Sequence, residues 1–331
     1  MGGEYVCTLS PELVQRAKDE INEVPERRAA DIEHIRDWLK HQPHINARMD
    51  DWTILRFLRG CKFSLERTKE KLDMFYTCKT LCPEWYKNRD PQDKKMRAIL
   101  ELGLHHPNLP GASLNITTTI ISSVLLPLPG YDYLGRKVLL ERWALHDPAT
   151  TTVDMMFRVI TSVADVLLDE DEQSSVTGYV VMSDNACLSV PHVVALKPTL
   201  ARKVTVLWQD GYPMRPKGLN YINTPAAFDT VFNIFRSFMK EKMKKRVHIH
   251  GSDMESLYKQ VPREMLPVEY GGTNGTVEEI KNYWLQRLDA RRDWLLEDEK
   301  YCVDESKRPG KPKTSAELFG IEGSFRKLDV D

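Results

Sequence analysis

Two adjoining stretches carry the residues best placed to do chemistry. Between positions 225 and 239, Phe228, Val231, Phe232, Phe235, Phe238 and Met239 recur at i, i+3, i+4, i+7, i+10 and i+11, which is one face of a helix, and Pro225 suits a first helical turn. Burying each such phenylalanine is worth about 1.5–3 kcal/mol. The stripe fits a plain core helix, and it fits equally a lid whose inner face must be apolar when closed. Directly behind it, Arg236, Lys240, Lys242, Lys244, Lys245 and Arg246 set six positive charges against Glu241 alone, a local net of +5, with His248 and His250 following. Such a cluster suits anionic lipid head groups, at about 1 kcal/mol per basic residue near a charged surface. It also suits a solvated helix end that complements the helix dipole. No readable motif supports nucleic acid as its partner.

Catalytic constellations are missing from the sequence. There is no GxSxG elbow, P-loop, GxGxxG or HExxH. His105-His106 and the pair His248/His250 are conceivable metal ligands, the second pair because residues two apart on a strand share a face. No cysteine completes a set, and only Asp253 adds a carboxylate. Ser183, Asp184 and Asp210 follow apolar runs with no general base at a telling spacing. The expectation is a protein that is not an enzyme and has no metal and no cofactor.

The elements that must position these residues fall into three segments. Segment 10–91 is helical by pattern: Ile32, Ile35 and Leu39 share a face in 31–40, Trp52, Leu55 and Leu58 repeat every three residues, and Ser64 is a candidate N-cap for a helix bearing Leu72, Phe75 and Tyr76. Segment 107–272 alternates strand-like runs (118–126, 137–142, 176–182, 218–222, 246–250) with helix-like ones, of which 153–168 is strongly amphipathic through Val153, Met156, Phe157, Ile160, Val163, Ala164 and Leu167. That alternation predicts an α/β sheet covered by helices. Segment 273–331 reads as a charged surface helix over 277–299, striped by Ile280, Trp284, Leu288 and Leu295, followed by a flexible Lys/Pro/Gly linker at 307–313.

Composition bounds the function classes. With 47 basic and 48 acidic residues the net charge is −1, so any basic site must be a local patch. The first ten residues lack a secretory pattern, and the 118–126 run is too short to span a bilayer, so no transmembrane segment is expected. Six scattered cysteines read as reduced thiols in a cytoplasmic protein.

On these residues the chain resembles a known family. WTILRFLRGCKF (52–63), DYLGRKVLLER (132–142), YPMRPKG (212–218) with INTP (222–225), KMKKRVHIHG (242–251) and LPVEYGG (266–272) resemble, in order, the motifs of CRAL-TRIO lipid-transfer proteins, in the subgroup that holds α-tocopherol transfer protein and cellular retinaldehyde-binding protein. The tail at 318–329 resembles that of insect members. The resemblance implies an N-terminal arm (1–30), a small N-terminal helical domain (31–95), a mixed-sheet lipid-binding domain (107–272) whose apolar cavity is closed by a gate helix, and a charged C-terminal extension (273–331). It implies helix over 190–209, where local propensity is divided.

Carried over by position, the resemblance implies a cavity wall of Phe157, Ile160, Ala164, Leu207, Leu219, Phe228, Val231 and Phe232, and a gate of Pro225, Phe235, Phe238 and Met239. It implies a phosphoinositide site at Arg215, Lys217, Lys242, Lys244 and Arg246, with Lys62 beside Cys61, where an arginine is expected. Ile160 and Ala164 stand where the tocopherol carrier has small hydroxyl residues, so a ligand hydroxyl needs another partner. The implied function is an intracellular, non-enzymatic carrier of one hydrophobic ligand (a tocopherol, retinoid, carotenoid or similar) that exchanges it at phosphoinositide-containing membranes. The alternative is a lipid-sensing adaptor that meets a protein partner through its C-terminal extension.

Overall fold

The computed structural model describes residues 5–100, 103–104, 120–121 and 124–320. Its centre is a five-stranded mixed sheet: β1 (Leu125–Pro127), β2 (Lys137–Glu141), β3 (Tyr179–Asp184), β4 (Pro216–Ile222) and β5 (Val247–Gly251), in that spatial order. β1 and β2 are antiparallel, and the remaining neighbours are parallel. Parallel neighbours need long crossovers, which helices supply. Helix Val153–Glu170 links β2 to β3, helices Val190–Ala195 and Pro198–Val206 link β3 to β4, and helix Phe228–Phe238 links β4 to β5.

The two faces of this sheet are not equally filled. On one face Val138, Leu140, Val180, Met182 and even the polar Asn220 are 0–1% exposed. On the other, Val181, Leu219 and Tyr221 are only half-buried although apolar. A strand that buries its asparagine and leaves its leucine part-open faces a void on the leucine side.

Four expectations from sequence change. Strand β3 starts at Tyr179, not 176, because Val176 belongs to a short helix (Glu172–Thr177) ended by Gly178 at φ +91. A Cβ there would stand 2.5 Å from the Arg215 carbonyl oxygen, so only glycine lets β3 begin beside β4. Second, helix Phe228–Phe238 begins three residues after Pro225, whose carbonyl accepts from the Phe228 N–H at 2.8 Å. Third, the stretch 1–30, named an arm although helical by pattern from position 10, is docked on the domain: helix Pro11–Ile21 is capped by the Ser10 hydroxyl, and its Ala17 and Ile21 pack on Val176.

The fourth change concerns the C-terminal segment. Its stripe is not a surface feature: Ile280, Trp284, Leu288 and Leu295 are 0–7% exposed and belong to the main core. The supposed linker is tied down, since Arg308 donates to Asp73 at 2.8–2.9 Å and Lys313 to the same carboxylate at 2.7 Å. Strand Cys302–Val303 pairs with Ile45–Asn46. The candidate strand 118–126 is described only in part, and His105, His106 and the tail beyond 320 lie outside the described residues.

Candidate functional site

Under the half-filled face of the sheet lies a cavity with room for the centres of water-sized spheres over about 210 Å³. A single water needs about 10–15 Å³ by that measure, so the space suits a ligand of many heavy atoms. The floor is β2, β3 and β4. The sides come from helix Val153–Glu170, helix Pro198–Val206 with the turn after it, and helix Phe228–Phe238. The last of these lies across the cavity as its lid. Phe228 and Phe232 stack on each other with centroids 5.4 Å apart, and both rings pack on Tyr221 of β4 at 5.3 and 5.4 Å. At the far end of the lid, the Gln209 side chain donates to the Phe238 carbonyl at 3.2 Å and accepts from the Lys240 N–H at 2.9 Å. Lys240 also pairs with Asp210.

Of the wall residues carried over by position, Phe157, Ile160, Leu219, Phe228, Val231 and Phe232 line this cavity, as do Phe235 and Met239 of the gate set. Ala164 and Leu207 do not, and they sit in solid core at 1% and 0% exposure. Ala164 is one turn beyond Ile160, where the helix meets packed side chains and the buried Asp165–Arg89 ion pair. Leu207 opens a π-type turn (Leu207–Gly211), whose wider winding rotates Trp208 and Gln209 to the cavity instead. Pro225 and Phe238 frame the lid without lining the space.

Sequence reading missed the polar part of the wall: Glu141, Ser183, Asn185, His146 and Tyr221. A lone glutamate at a strand end carries no signal of facing a cavity. Burial, with nothing opposing it, pushes the Glu141 carboxyl up to about 7 from an ordinary 4.5. Its surface is only partly covered, yet the open part faces the cavity and not bulk water. The sign of the linkage follows. The unfolded chain releases this proton above 4.5 and the folded chain holds it to about 7, so stability falls as pH rises through that window. The full shift corresponds to about 3 kcal/mol at most, and water entering the cavity mouth reduces it to about 1–3 kcal/mol. Glu141→Gln should remove the fall. Urea midpoints for both proteins at about pH 5 and about pH 8 read this as a gain for the variant at the higher pH only. The difference between the two proteins isolates the carboxyl from His146 and Tyr221, which face the same space. Equal pH profiles would refute the assignment.

The basic residues gather beside the lid. Lys242 is disfavoured as a cation first by burial and then by Arg246, Lys62, Arg215 and Arg67. Cations that repel one another across a shared space form a site for an anion. Lys62 is thus part of the group, and Arg67 joins it unforeseen. Lys244 instead pairs with Glu241 at 2.7 Å. Arg215 and Lys217 already share a carboxylate: Glu20 of helix Pro11–Ile21 lies 3.5 and 3.0 Å from them. Burial would raise the Glu20 carboxyl, but hydrogen bonds from Arg16 and Lys217 hold it at about 2. Among the described residues no cluster could hold a metal ion. The rings of His248 and His250 stack 6.3 Å apart, and the His250 nitrogens lie 2.9 Å from the Ser256 hydroxyl and 3.1 Å from the Asn220 side-chain oxygen.

Known proteins share this arrangement of sequence. Residues 24–96 match the family described as Pinta-like, UBA domain, and residues 121–272 the one described as CRAL/TRIO domain. The chain is 32% identical to human "Alpha-tocopherol transfer protein-like" over 278 residues, covering 83% of this chain and 74% of that one. It is 29% identical to Xenopus laevis "Clavesin-1" over 266 residues (80% of this chain, 74% of the relative) and 29% identical to human "Clavesin-2" over 306 residues (92% and 85%).

Proposed function

This chain belongs to the CRAL/TRIO family, a lipid-binding and transfer family, and on that premise we propose that it is a non-enzymatic cytoplasmic carrier which encloses one hydrophobic ligand and exchanges it at phosphoinositide-bearing membranes. The observation that carries the reading is the apolar-walled space of about 210 Å³ beneath the phenylalanine face of helix Phe228–Phe238. Closed, that helix keeps the ligand from water, which stabilises the complex in proportion to the apolar area covered. Opening costs the Gln209 hydrogen bonds and the Lys240–Asp210 pair at its C-terminal end.

The membrane step rests on two surface features. The convergence of Lys62, Arg67, Arg215, Lys242 and Arg246 suits a multiply charged phosphate head group. Val190 and Val194, 69% and 75% exposed, stand on a helix packed against the lid and offer apolar points for lipid contact. Anionic lipid favours the open lid only to the extent that it binds the open state better. The name of the first relative points to tocopherol as one ligand to try, with retinoids and carotenoids beside it.

Replacing both Lys242 and Arg246 by alanine should slow transfer between phosphoinositide-containing vesicles about thirtyfold, at about 1 kcal/mol per lost basic residue. Ligand affinity in solution should stay unchanged, since neither side chain lines the cavity. Fluorescence transfer between donor and acceptor vesicles measures the first and ligand titration the second. Parallel losses of both would contradict this separation of roles.

A further inference from the structure

Of the polar residues lining the cavity, Thr205, Tyr179 and Gln209 are already hydrogen-bonded to Ala201, Ser174 and the end of the lid, and three others share one row of the floor. The parallel register sets Glu141 opposite Ser183 and Ser183 opposite Tyr221. One row across β2, β3 and β4 therefore carries a carboxyl and two hydroxyls on the cavity face. Two residues earlier on each strand the row Leu139, Val181 and Leu219 is wholly apolar. The floor thus has a direction, apolar first and polar toward the C-terminal ends of the strands. The Asn185 amide at that end is already engaged by the carbonyls of Ser183 and Ile222, at 2.9 and 3.3 Å. No described residue hydrogen-bonds the side chains of Glu141, Ser183 or Tyr221. Three polar groups aimed into one apolar chamber and left without partners await a group of their own kind.

Resting on the carrier reading above, we propose that Glu141, flanked by Ser183 and Tyr221, is the head-group anchor of the cavity and selects an apolar ligand that ends in a neutral hydroxyl. The alternatives fail on charge and on hydrogen bonding. An anionic head finds no lysine or arginine among the lining residues and meets the Glu141 carboxyl instead. A pure hydrocarbon, or a hydroxyl capped as an ether, expels water from these groups and leaves them buried with no donor in return. An amine would require a dehydrated ion pair, whose desolvation offsets its attraction. A hydroxyl both donates and accepts. The carboxyl, held by burial near the point where it keeps its proton, donates and accepts in the same way once the ligand displaces water. This anchor also supplies the partner that the apolar Ile160 withholds on the helical side.

The test titrates the full chain at neutral pH with all-trans-retinol, retinyl methyl ether, retinylamine and retinoic acid, and with a linear polyene alcohol and its methyl ether. Polyene fluorescence reads binding. The alcohol of at least one skeleton should bind about tenfold more tightly than its ether. In Glu141→Leu that ratio should fall to about one while ether affinity holds or rises, which also shows that the variant folds. Glu141→Gln, which keeps a donor and an acceptor, should retain the preference. Equal affinity for alcohol and ether in the wild-type chain, an unchanged ratio in Glu141→Leu, or tighter binding of the amine or the acid would overturn the anchor and leave the carrier intact. Binding of none of the probes would overturn the carrier reading and this inference with it.

Discussion

Asp298→Ala should cost about 3–5 kcal/mol of folding stability, since removing one partner of a buried ion pair leaves charge uncompensated. One carboxylate oxygen accepts from the Lys79 ammonium at 2.5 Å and the Arg89 guanidinium at 2.6 Å, and the other accepts from Arg48 at 2.9 Å. The side chains of Lys79 and Arg89 are 2% and 0% exposed. Burial alone would raise the Asp298 carboxyl. Lys79 and Arg89 beside it hold it far below the usual carboxylate range instead. The stability from this group is therefore present above the ordinary carboxylate value of 3.8 and is lost as pH falls. Without Asp298, Asp165 remains as the one carboxylate paired with Arg89, and Lys79 loses its only ion pair among the described residues. Adding Lys79→Met to Asp298→Ala should restore part of the loss by removing an orphaned cation. Urea unfolding of the single and double variants measures both effects. A loss under about 1 kcal/mol would mean that water reaches the cluster and that it is not the buried hub described.

That hub bears on the cavity. Arg89 joins Asp298 of the C-terminal segment to Asp165, which lies on the same helix as the wall residues Met156, Phe157 and Ile160. Tyr212, at the turn before β4, donates to the same Asp165 at 2.7 Å. The C-terminal segment thus helps to set where two walls of the chamber stand.

Leu219→Trp should abolish ligand binding, by at least about a hundredfold, while changing stability by less than about 1 kcal/mol. Leu219 lies in the apolar row of the floor, and the larger ring has empty space to enter. Leu140→Trp is the contrasting variant. Leu140 sits on the opposite face of the same sheet at 0% exposure, so added bulk has no space and should cost about 1–3 kcal/mol or more. The comparison needs only urea midpoints and a ligand titration. Equal destabilisation by both tryptophans would mean that the interior beneath the lid is solid, and the carrier reading would fall with it.

The sequence on its own determined which elements form and which faces they bury. The 3.6-residue spacing of Phe228, Val231 and Phe232 and the strand-like runs around 137–142 and 218–222 report side-chain direction, and direction is a local property of the backbone. The same spacing could not say what those faces bury against. Whether a phenylalanine stripe covers a core or a chamber depends on how three strands and three helices meet, and the structure decided that. It decided likewise that Leu207 turns away, through a local π-type winding, and that Glu141 looks into the cavity. The Lys/Pro/Gly composition of 307–313 read as a linker because no local rule reveals Asp73, more than 230 residues earlier, as the partner of Arg308. Periodicity encodes which way a residue points. Only the closed tertiary arrangement determines what it finds there.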